Sequence, residues 1–133
     1  MVGDIIGDFI IQLKNAGMVG KKEVSLPYSK LRHAVANKLV ASGYIESAEQ
    51  QGKKDKVQKT LAVALKYGTD GKHRISGVKR VSKPGRRLYT KVADIHQVKF
   101  GKGHMILSTP AGILTNDEAR AKNVGGEQLF IIW

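Results

Sequence analysis

Residue types that support several common kinds of chemistry are scarce or absent in this chain of 133 residues. It has no cysteine, which excludes disulfide bonds, thiol catalysis and thiolate metal sites. Aromatic residues make up only 6% of the sequence, and no RNP-type aromatic sheet is visible in it. No apolar run approaches the roughly 20 residues that span a bilayer. Asp4 and Asp8 interrupt the stretch where a secretion signal would lie. We therefore expect a soluble, intracellular protein of the cytoplasm.

Catalytic and metal-binding patterns are also missing. The histidines are scattered, and none forms HExxH or another metal-ligand spacing: His33, His73, His96 and His104. A G-x-S-x-G motif is absent, and the segment Gly71-Lys72-His73 departs from the phosphate-binding loop at position 73. An enzyme acting on phosphorylated substrates is a rival hypothesis, but no nucleophile–base pair supports it. We expect no enzymatic activity, no metal and no other cofactor.

Positive charge is abundant and concentrated in one stretch. The formal net charge is +12, and residues 53–102 hold 15 Lys and Arg against three acidic residues. The rest of the chain is balanced, with 8 basic and 8 acidic residues. A local excess of this size attracts polyanions, and counterion release makes phosphate binding favourable and salt-sensitive. The charge pattern therefore predicts a nucleic-acid binder whose contact surface lies in the second half of the chain.

Apolar spacing and turn signals predict an α+β protein of two small modules, with a soft boundary after Tyr67. Residues 1–67 have the order α-β-α-β-β. The first helix is capped by Asp4 and stopped at Gly17, the second runs between Ser29 and Gly43, and residues 51–56 form a charged hairpin loop. Residues 68–133 form a β-rich module. Its predicted strands cover residues 75–81, 87–90, 105–108, 113–115 and 128–132. Its short helices lie at 94–98 and after a capping box that starts at Thr115.

The first functional candidate is a basic segment, residues 79–89. Pro84-Gly85 fits the centre of a type II turn, in which glycine supplies the positive φ. Five basic side chains and Tyr89 surround this turn: Lys79, Arg80, Lys83, Arg86 and Arg87. A corner between two strands would hold these charges at fixed spacing along a phosphate backbone. The alternative is a solvated hairpin, but solubility needs no field of a single sign.

The second candidate is a small polar loop between apolar strands, Ser108 to Gly112. Hydroxyl groups of Ser108 and Thr109 can donate and accept hydrogen bonds, and Gly112 lets a ligand approach the backbone. Such groups suit the shallow minor groove of RNA. On spacing alone, an ordinary hairpin turn explains the loop better. Gly125-Gly126-Glu127 either lets its own loop pack beside this turn or simply connects a helix to the last strand.

Other binding classes fit less well. Membrane binding needs a basic amphipathic helix, whereas the basic residues here fall mainly in predicted strands and loops. A helix-turn-helix needs a basic recognition helix with a partner. The second helix carries Lys30, Arg32 and Lys38, but no suitable partner helix precedes it. Elimination leaves structured RNA, recognised by its shape, phosphates and minor-groove edges.

The same motifs resemble the small-subunit ribosomal protein eight family of bacterial type. Residues 103–120 are similar to its signature, which places Ser108-Thr109, Gly112 and Ala119-Arg120 among apolar pairs. Further matches occur in the family's order along the chain: 4–16, 26–31, 43–46, 80–89 and 125–127. The family usually has a serine and often a basic residue where this chain has Pro110-Ala111.

The resemblance implies two α/β modules packed together in a non-enzymatic component of the small ribosomal subunit. It implies docking of the second module on a helical region of the central domain of the small-subunit rRNA, early in assembly. The protein would be a monomer within the ribosome, beside neighbouring small-subunit proteins. Some bacterial members also repress translation by binding a mimic site on their own messenger RNA, and the sequence cannot separate the two roles.

The resemblance also assigns roles to single residues. Ser108, Thr109 and Gly112 would approach an irregular RNA core, with Tyr89 and Glu127 flanking the loop. Phosphates would be held by four basic residues of the corner: Arg80, Lys83, Arg86 and Arg87. Lys30, where the second helix opens as in the family, completes the predicted RNA-binding set.

Overall fold

The computed structural model describes residues 5–52, 59–98 and 102–133. The chain divides into two compact units, one spanning Asp8–Ile75 and the other spanning Ser76–Trp133 together with the start of the chain. The described residues form helices and two antiparallel sheets, which confirms the predicted α+β class. The predicted module boundary after Tyr67 stays a prediction. None of the helices in the described ranges is long and apolar enough to cross a membrane.

The first half of the chain has the predicted α-β-α-β-β order. Its elements are α1 Ile5–Met18, β1 Glu23–Pro27, α2 Lys30–Ala41, β2 Ile45–Gln51 and β3 Thr60–Leu65. The strands form an antiparallel sheet in the order β1-β3-β2. Leu26, Leu61 and Val63 are buried in this sheet, and Val35 and Leu39 form the buried face of α2. The predicted cap Asp4 and most of the predicted loop 51–56 lie outside the described residues.

Helix α1 does not stop at Gly17, so that prediction is wrong. The helix continues to Met18, and its end is closed by Gly20 at φ 78°, a conformation that glycine adopts without steric cost. The amide of Lys21 donates to the carbonyl of Ala16 at 3.0 Å, as in a Schellman motif. Gly17 has a different role, because a Cβ there would lie 2.0 Å from Nδ1 of His73. The position needs a small residue for packing.

Helix α2 begins and ends where the sequence predicts. The Ser29 hydroxyl accepts from the backbone N–H of Arg32 at 3.5 Å, and Gly43 follows the helix at φ 86°. The amide of Tyr44 then donates to the carbonyl of Leu39 at 3.0 Å. These contacts satisfy backbone groups that a helix end leaves without partners.

The second unit is β-rich. Its elements are β4 Val78–Arg80, β5 Tyr89–Thr90, a 3-10 turn Val92–Asp94, β6 His104–Thr109, β7 Gly112–Thr115, α3 Asn116–Lys122 and β8 Gly126–Ile132. The sheet order is β4-β8-β6-β7, and β5 also pairs with β8. Ile95, Leu107, Leu114 and Ala119 form a buried cluster in this unit. The predicted capping box of α3 is present, with Thr115 and Glu118 each binding the backbone of the other.

Three predictions of secondary structure in this unit are wrong in part, and the first is the strand 87–90, which is reduced to Tyr89–Thr90. Residues 95–98 form no helix and follow the 3-10 turn as irregular chain, where Asn116 Nδ2 donates to the His96 carbonyl at 3.1 Å. The predicted strand 75–81 is reduced to Val78–Arg80. It is shorter because the amides of Ser76 and Gly77 both donate to the carbonyl of Trp133, which ends regular pairing there.

Candidate RNA-binding surface

Four strands place one residue each in a row across the second sheet. Tyr89 on β5 pairs with Glu127 on β8, and Glu127 pairs on its other side with Ser108 on β6. Ser108 in turn pairs with Ile113 on β7. Residues directly opposite each other in a sheet point to the same face. Ser108 of the signature loop and two flanking residues named by the resemblance therefore share one face, which we call the Ser108 face.

Two glycines allow β8 to lie close to its neighbours. A Cβ on Gly126 would lie 2.2 Å from the carbonyl oxygen of Ser108, and a Cβ on Gly125 would lie 2.3 Å from the carbonyl oxygen of Thr90. Any side chain at either position would push backbone away. Of the two sequence interpretations, the one in which these glycines let the loop pack beside the Ser108 turn is therefore supported.

The turn that follows Ser108 is closed by Thr109. Its hydroxyl donates to the carbonyl of Gly112 at 2.8 Å and accepts from the amide of Ala111 at 3.1 Å. Gly112 has φ 108°, a backbone conformation that favours glycine. The Ser108 hydroxyl has no hydrogen-bond partner within the described part of the chain. The two hydroxyls therefore differ: Thr109 holds the shape of the turn, whereas Ser108 is available to a ligand.

Residues 79–89, which we call the basic corner, contain a tight turn at Pro84-Gly85. This turn is of a different type from the predicted one. Lys83 and Arg86 exchange two backbone hydrogen bonds at 3.0 and 2.9 Å across Pro84-Gly85. Gly85 does not have positive φ, so the predicted type II turn is wrong. Proline at the first central position also suits a type I turn, which requires no positive φ at the second.

A buried serine fixes this corner. Ser82 has 0% exposure, and its hydroxyl both accepts from the Leu88 amide at 2.9 Å and donates to the Leu88 carbonyl at 3.1 Å. Its own amide donates to the carbonyl of Gln128 on β8 at 3.0 Å. Ser82 therefore fastens the corner to the sheet that carries the Ser108 face. Sequence reasoning missed this role, although a lone small hydroxyl between basic residues was a usable signal.

The basic side chains of the corner differ in their surroundings. Lys83 and Arg86 are exposed, and Arg80 is half-buried on β4. Arg87 forms an ion pair with Glu127 at 3.1 Å, with side-chain exposures of 50% and 16%. The structure thus joins the corner to the Ser108 face through Arg87 and Glu127. Lys30 is exposed at the start of α2, in the unit that spans Asp8–Ile75.

Residues 5–52, 59–98 and 102–133 contain no group of three His, Cys, Asp or Glu side chains that could hold a metal ion. Positive charge, an available hydroxyl and an exposed aromatic ring are the groups that this surface offers, and Tyr89 is 71% exposed. Groups of this kind can hold phosphates and contact sugar hydroxyls or base edges.

Comparisons with known proteins all give the same family. The sequence profile of the family described as Ribosomal protein S8 matches residues 4–133. Among curated proteins, the Small ribosomal subunit protein uS8 of Sulfurimonas denitrificans is 44% identical over 133 residues, covering 100% of both chains. The protein of the same name from Rubrobacter xylanophilus is 42% identical and covers 99% of this chain and 98% of its own length. That of Roseiflexus castenholzii is 43% identical with the same coverage.

Proposed function

This chain belongs to the Ribosomal protein S8 family, the family that the sequence motifs resemble, and we propose that it is a primary rRNA-binding protein. Membership makes it a non-enzymatic constituent of the small ribosomal subunit, located in ribosomes in the cytoplasm. The finer proposal is that it docks on a helical region of the central domain of the small-subunit rRNA and supports subunit assembly. It would do so as a monomer beside neighbouring subunit proteins.

One observation carries this proposal: the Ser108 face and the basic corner belong to the same sheet and are linked by the ion pair of Arg87 and Glu127. Affinity comes from phosphate contacts of the exposed Lys83 and Arg86, helped by Arg80 and Arg87. Recognition comes from Ser108, whose hydroxyl can donate to or accept from a base edge or a 2′-hydroxyl. Positioning by phosphates and recognition by a few polar groups is the usual division of roles.

Three residues shape the recognition surface in this proposal. Thr109 and Gly112 keep the turn narrow enough for RNA to reach Ser108. Tyr89 offers its ring to an unpaired base or a ribose beside this turn. Glu127 is negatively charged and does not itself attract RNA. Its ion pair orients Arg87 toward the Ser108 face. Lys30 supplies a phosphate contact from α2, independently of the sheet.

Binding to a central-domain rRNA helix fragment and to a mismatched helix of equal length, across a salt series, tests this function. We expect a preference for the first helix that persists at physiological salt. Ser108→Ala should reduce this preference, whereas Lys122→Ala, on the exposed end of α3, should leave it unchanged. Equal affinities that collapse together with salt would show only a basic surface and would overturn the proposal.

Repression of its own messenger RNA is the second role that the family resemblance offers. It would use the same surface, so the structure favours neither role over the other. A hairpin from the messenger RNA that encodes this protein, added to the same binding series, separates them. Binding as tight as to the rRNA fragment would add the repressor role, and binding no better than to the mismatched helix would remove it.

A further inference from the structure

A cavity of about 390 Å³ lies in the second unit, on the other face of the sheet from Ser108. Met105 on β6 pairs with Ile131 on β8, and Ile131 also pairs with Lys79 on β4, so these three side chains share a face. Leu107 lies two residues beyond Met105 on β6 and points to the same face, whereas the next residue, Ser108, points to the other. Gln128 pairs with Leu107 and lies on the cavity side because β8 has an irregularity between its pairs with Ile106 and Leu107. The volume lies within the range of small-ligand sites, roughly 300 to 1,000 Å³.

The lining combines an apolar floor with a few polar groups. Met105, Ile131 and the indole of Trp133 are half-buried and supply the floor. His96 and Gln97 also line the cavity, and Lys79, Asp94 and Gln128 stand around the floor. Within the described residues, no hydrogen bond or ion pair engages the side chains of these three. Converging polar groups without protein partners around an apolar floor are typical of a ligand site.

We propose that this cavity binds a nucleotide, with the base over the apolar floor and the phosphate at Lys79. A purely apolar occupant would desolvate the Gln128 amide and the Asp94 carboxylate without giving either a partner. Free phosphate or a sugar phosphate would leave the floor of Met105, Ile131 and Trp133 in water. A base satisfies both requirements, since it has an apolar ring face and a hydrogen-bonding edge.

The position of Lys79 in the chain also supports a nucleotide as the ligand. It is exposed on β4 and immediately precedes Arg80 of the basic corner, whose side chain points to the other face of the sheet. The nucleotide can thus be a free one or an unpaired one in an RNA chain. The site does not rest on the proposed docking of rRNA, because Ser108 and the cavity lie on opposite faces of the sheet.

The polar groups predict a preference among bases. Gln128 can both donate and accept, so its amide suits any base edge. The carboxylate of Asp94 can only accept, and it therefore favours bases that carry an amino group. Cytosine has such a group and uracil, a ring of the same size, does not. We expect cytidine monophosphate to bind more tightly than uridine monophosphate.

Trp133 gives a specific signal for this cavity because it is the single tryptophan of the chain. The full chain is titrated with cytidine monophosphate, uridine monophosphate and ribose 5-phosphate, while the NMR signals of the Trp133 indole N–H and the Met105 methyl group are followed. We expect saturable shifts with cytidine monophosphate, weaker binding of uridine monophosphate and no saturation with ribose 5-phosphate. Shifts of equal size with ribose 5-phosphate, or no saturation with either nucleotide, would overturn the proposal.

Three variants make the assignment specific. Lys79→Met should raise the Kd for cytidine monophosphate about tenfold, since it removes a charged hydrogen-bond donor. Lys122→Met removes the same charge elsewhere in this unit and should leave the Kd unchanged. Asp94→Asn, at an exposed position, should abolish the preference for cytidine over uridine monophosphate. A preference that survives Asp94→Asn, or equal losses in both lysine variants, would contradict the site.

A comparison of two RNA hairpins shows whether the site binds free nucleotides or unpaired nucleotides within an RNA chain. A hairpin with one unpaired cytidine is compared with the continuous hairpin, with the Trp133 signal as the readout. A shift with the first hairpin alone assigns the site to unpaired nucleotides in RNA. Shifts with free cytidine monophosphate but with neither hairpin assign it to free nucleotides. Either result is distinct from rRNA docking, which Ser108→Ala reports and cavity variants do not.

Discussion

The hydroxyl of Ser82 binds both backbone polar groups of Leu88, accepting from its amide at 2.9 Å and donating at 3.1 Å to its carbonyl, which also accepts from the Gln128 amide. Ser82 is fully buried and Leu88 is half-buried, so water has little access to these contacts. These bonds close the base of the corner that carries Lys83 and Arg86. The buried side chain of Ser82 thus fixes the positions of the exposed Lys83 and Arg86.

Ser82→Ala should therefore destabilise the protein by about 1 to 3 kcal/mol, because the Leu88 amide loses its partner while the Leu88 carbonyl keeps that of Gln128. Urea unfolding measures this change in the free energy of unfolding. Ser76→Ala is the matched control, because Ser76 is an exposed serine of the same unit and should change stability by no more than about 0.5 kcal/mol. Equal effects of the two substitutions would mean that the Ser82 hydroxyl does not hold the corner.

Gly126→Ala should be strongly destabilising, because its Cβ would lie 2.2 Å from the carbonyl oxygen of Ser108. Backbone rather than a flexible side chain must move, and overpacking of this kind costs about 1 to 3 kcal/mol. Gly85→Ala is the control, since no atom lies within 4 Å of its Cβ and its φ is not positive. We expect Gly85→Ala to range from neutral to about 1 kcal/mol stabilising. A neutral Gly126→Ala in thermal and urea unfolding would refute the close approach of β8 and β6.

Features with local causes could be predicted from the sequence. The capping box at Thr115 and the end of α2 at Gly43 depend on hydrogen bonds within a few residues, and both predictions are confirmed. The α-β-α-β-β order follows from apolar periodicity, which is likewise local. The motif residues Ser108, Glu127 and Tyr89 were all named, but only strand register shows that they form one row.

Features that depend on distant partners could not be predicted. Gly17 reads as a helix stop, yet the helix continues to Met18, and the glycine instead leaves space for the distant His73. Residues 94–98 read as helical, yet Asn116 binds the carbonyl of His96 from a distant element. The roles of Ser82 and Thr109 were missed for the same reason, because a hydroxyl in a polar segment does not reveal its partner.

Ser108→Ala and Thr109→Ala should differ in their effects on stability. Thr109→Ala removes the hydroxyl that bridges Gly112 and Ala111, and we expect a loss of about 1 kcal/mol. Ser108→Ala removes no hydrogen bond within the described residues and should change stability by less than about 0.5 kcal/mol. Thr109→Ser retains the hydroxyl and should recover most of the loss. Equal stabilities of all three variants in urea would contradict the role of Thr109 in the turn.

Tyr44 makes stability depend on alkaline pH. Burial raises the pKa of its phenol above the usual value of 10.0, although the nearby Arg74 opposes the shift. The folded state therefore favours the neutral phenol, and this contribution is fully present below pH 10 and is lost as the pH rises from there through the folded-state pKa. Tyr44→Phe should lose less stability than the native chain between neutral pH and a pH above 10. Identical pH profiles for the two proteins in urea unfolding would refute this linkage.

Arg86→Ala should reduce the salt dependence of RNA binding. Arg86 is exposed, and no carboxylate in the described residues lies within ion-pair distance of it, so RNA phosphate is its natural partner. Loss of one phosphate contact should lower the slope of log K against log salt by about 1 and weaken cognate and mismatched helices alike. Lys72→Ala removes the same charge at an exposed position in the unit that spans Asp8–Ile75, and we expect it to leave the slope nearly unchanged. If both variants lowered the slope equally, net charge rather than the corner would govern the affinity, and the geometry that Ser82 maintains would have no part in binding.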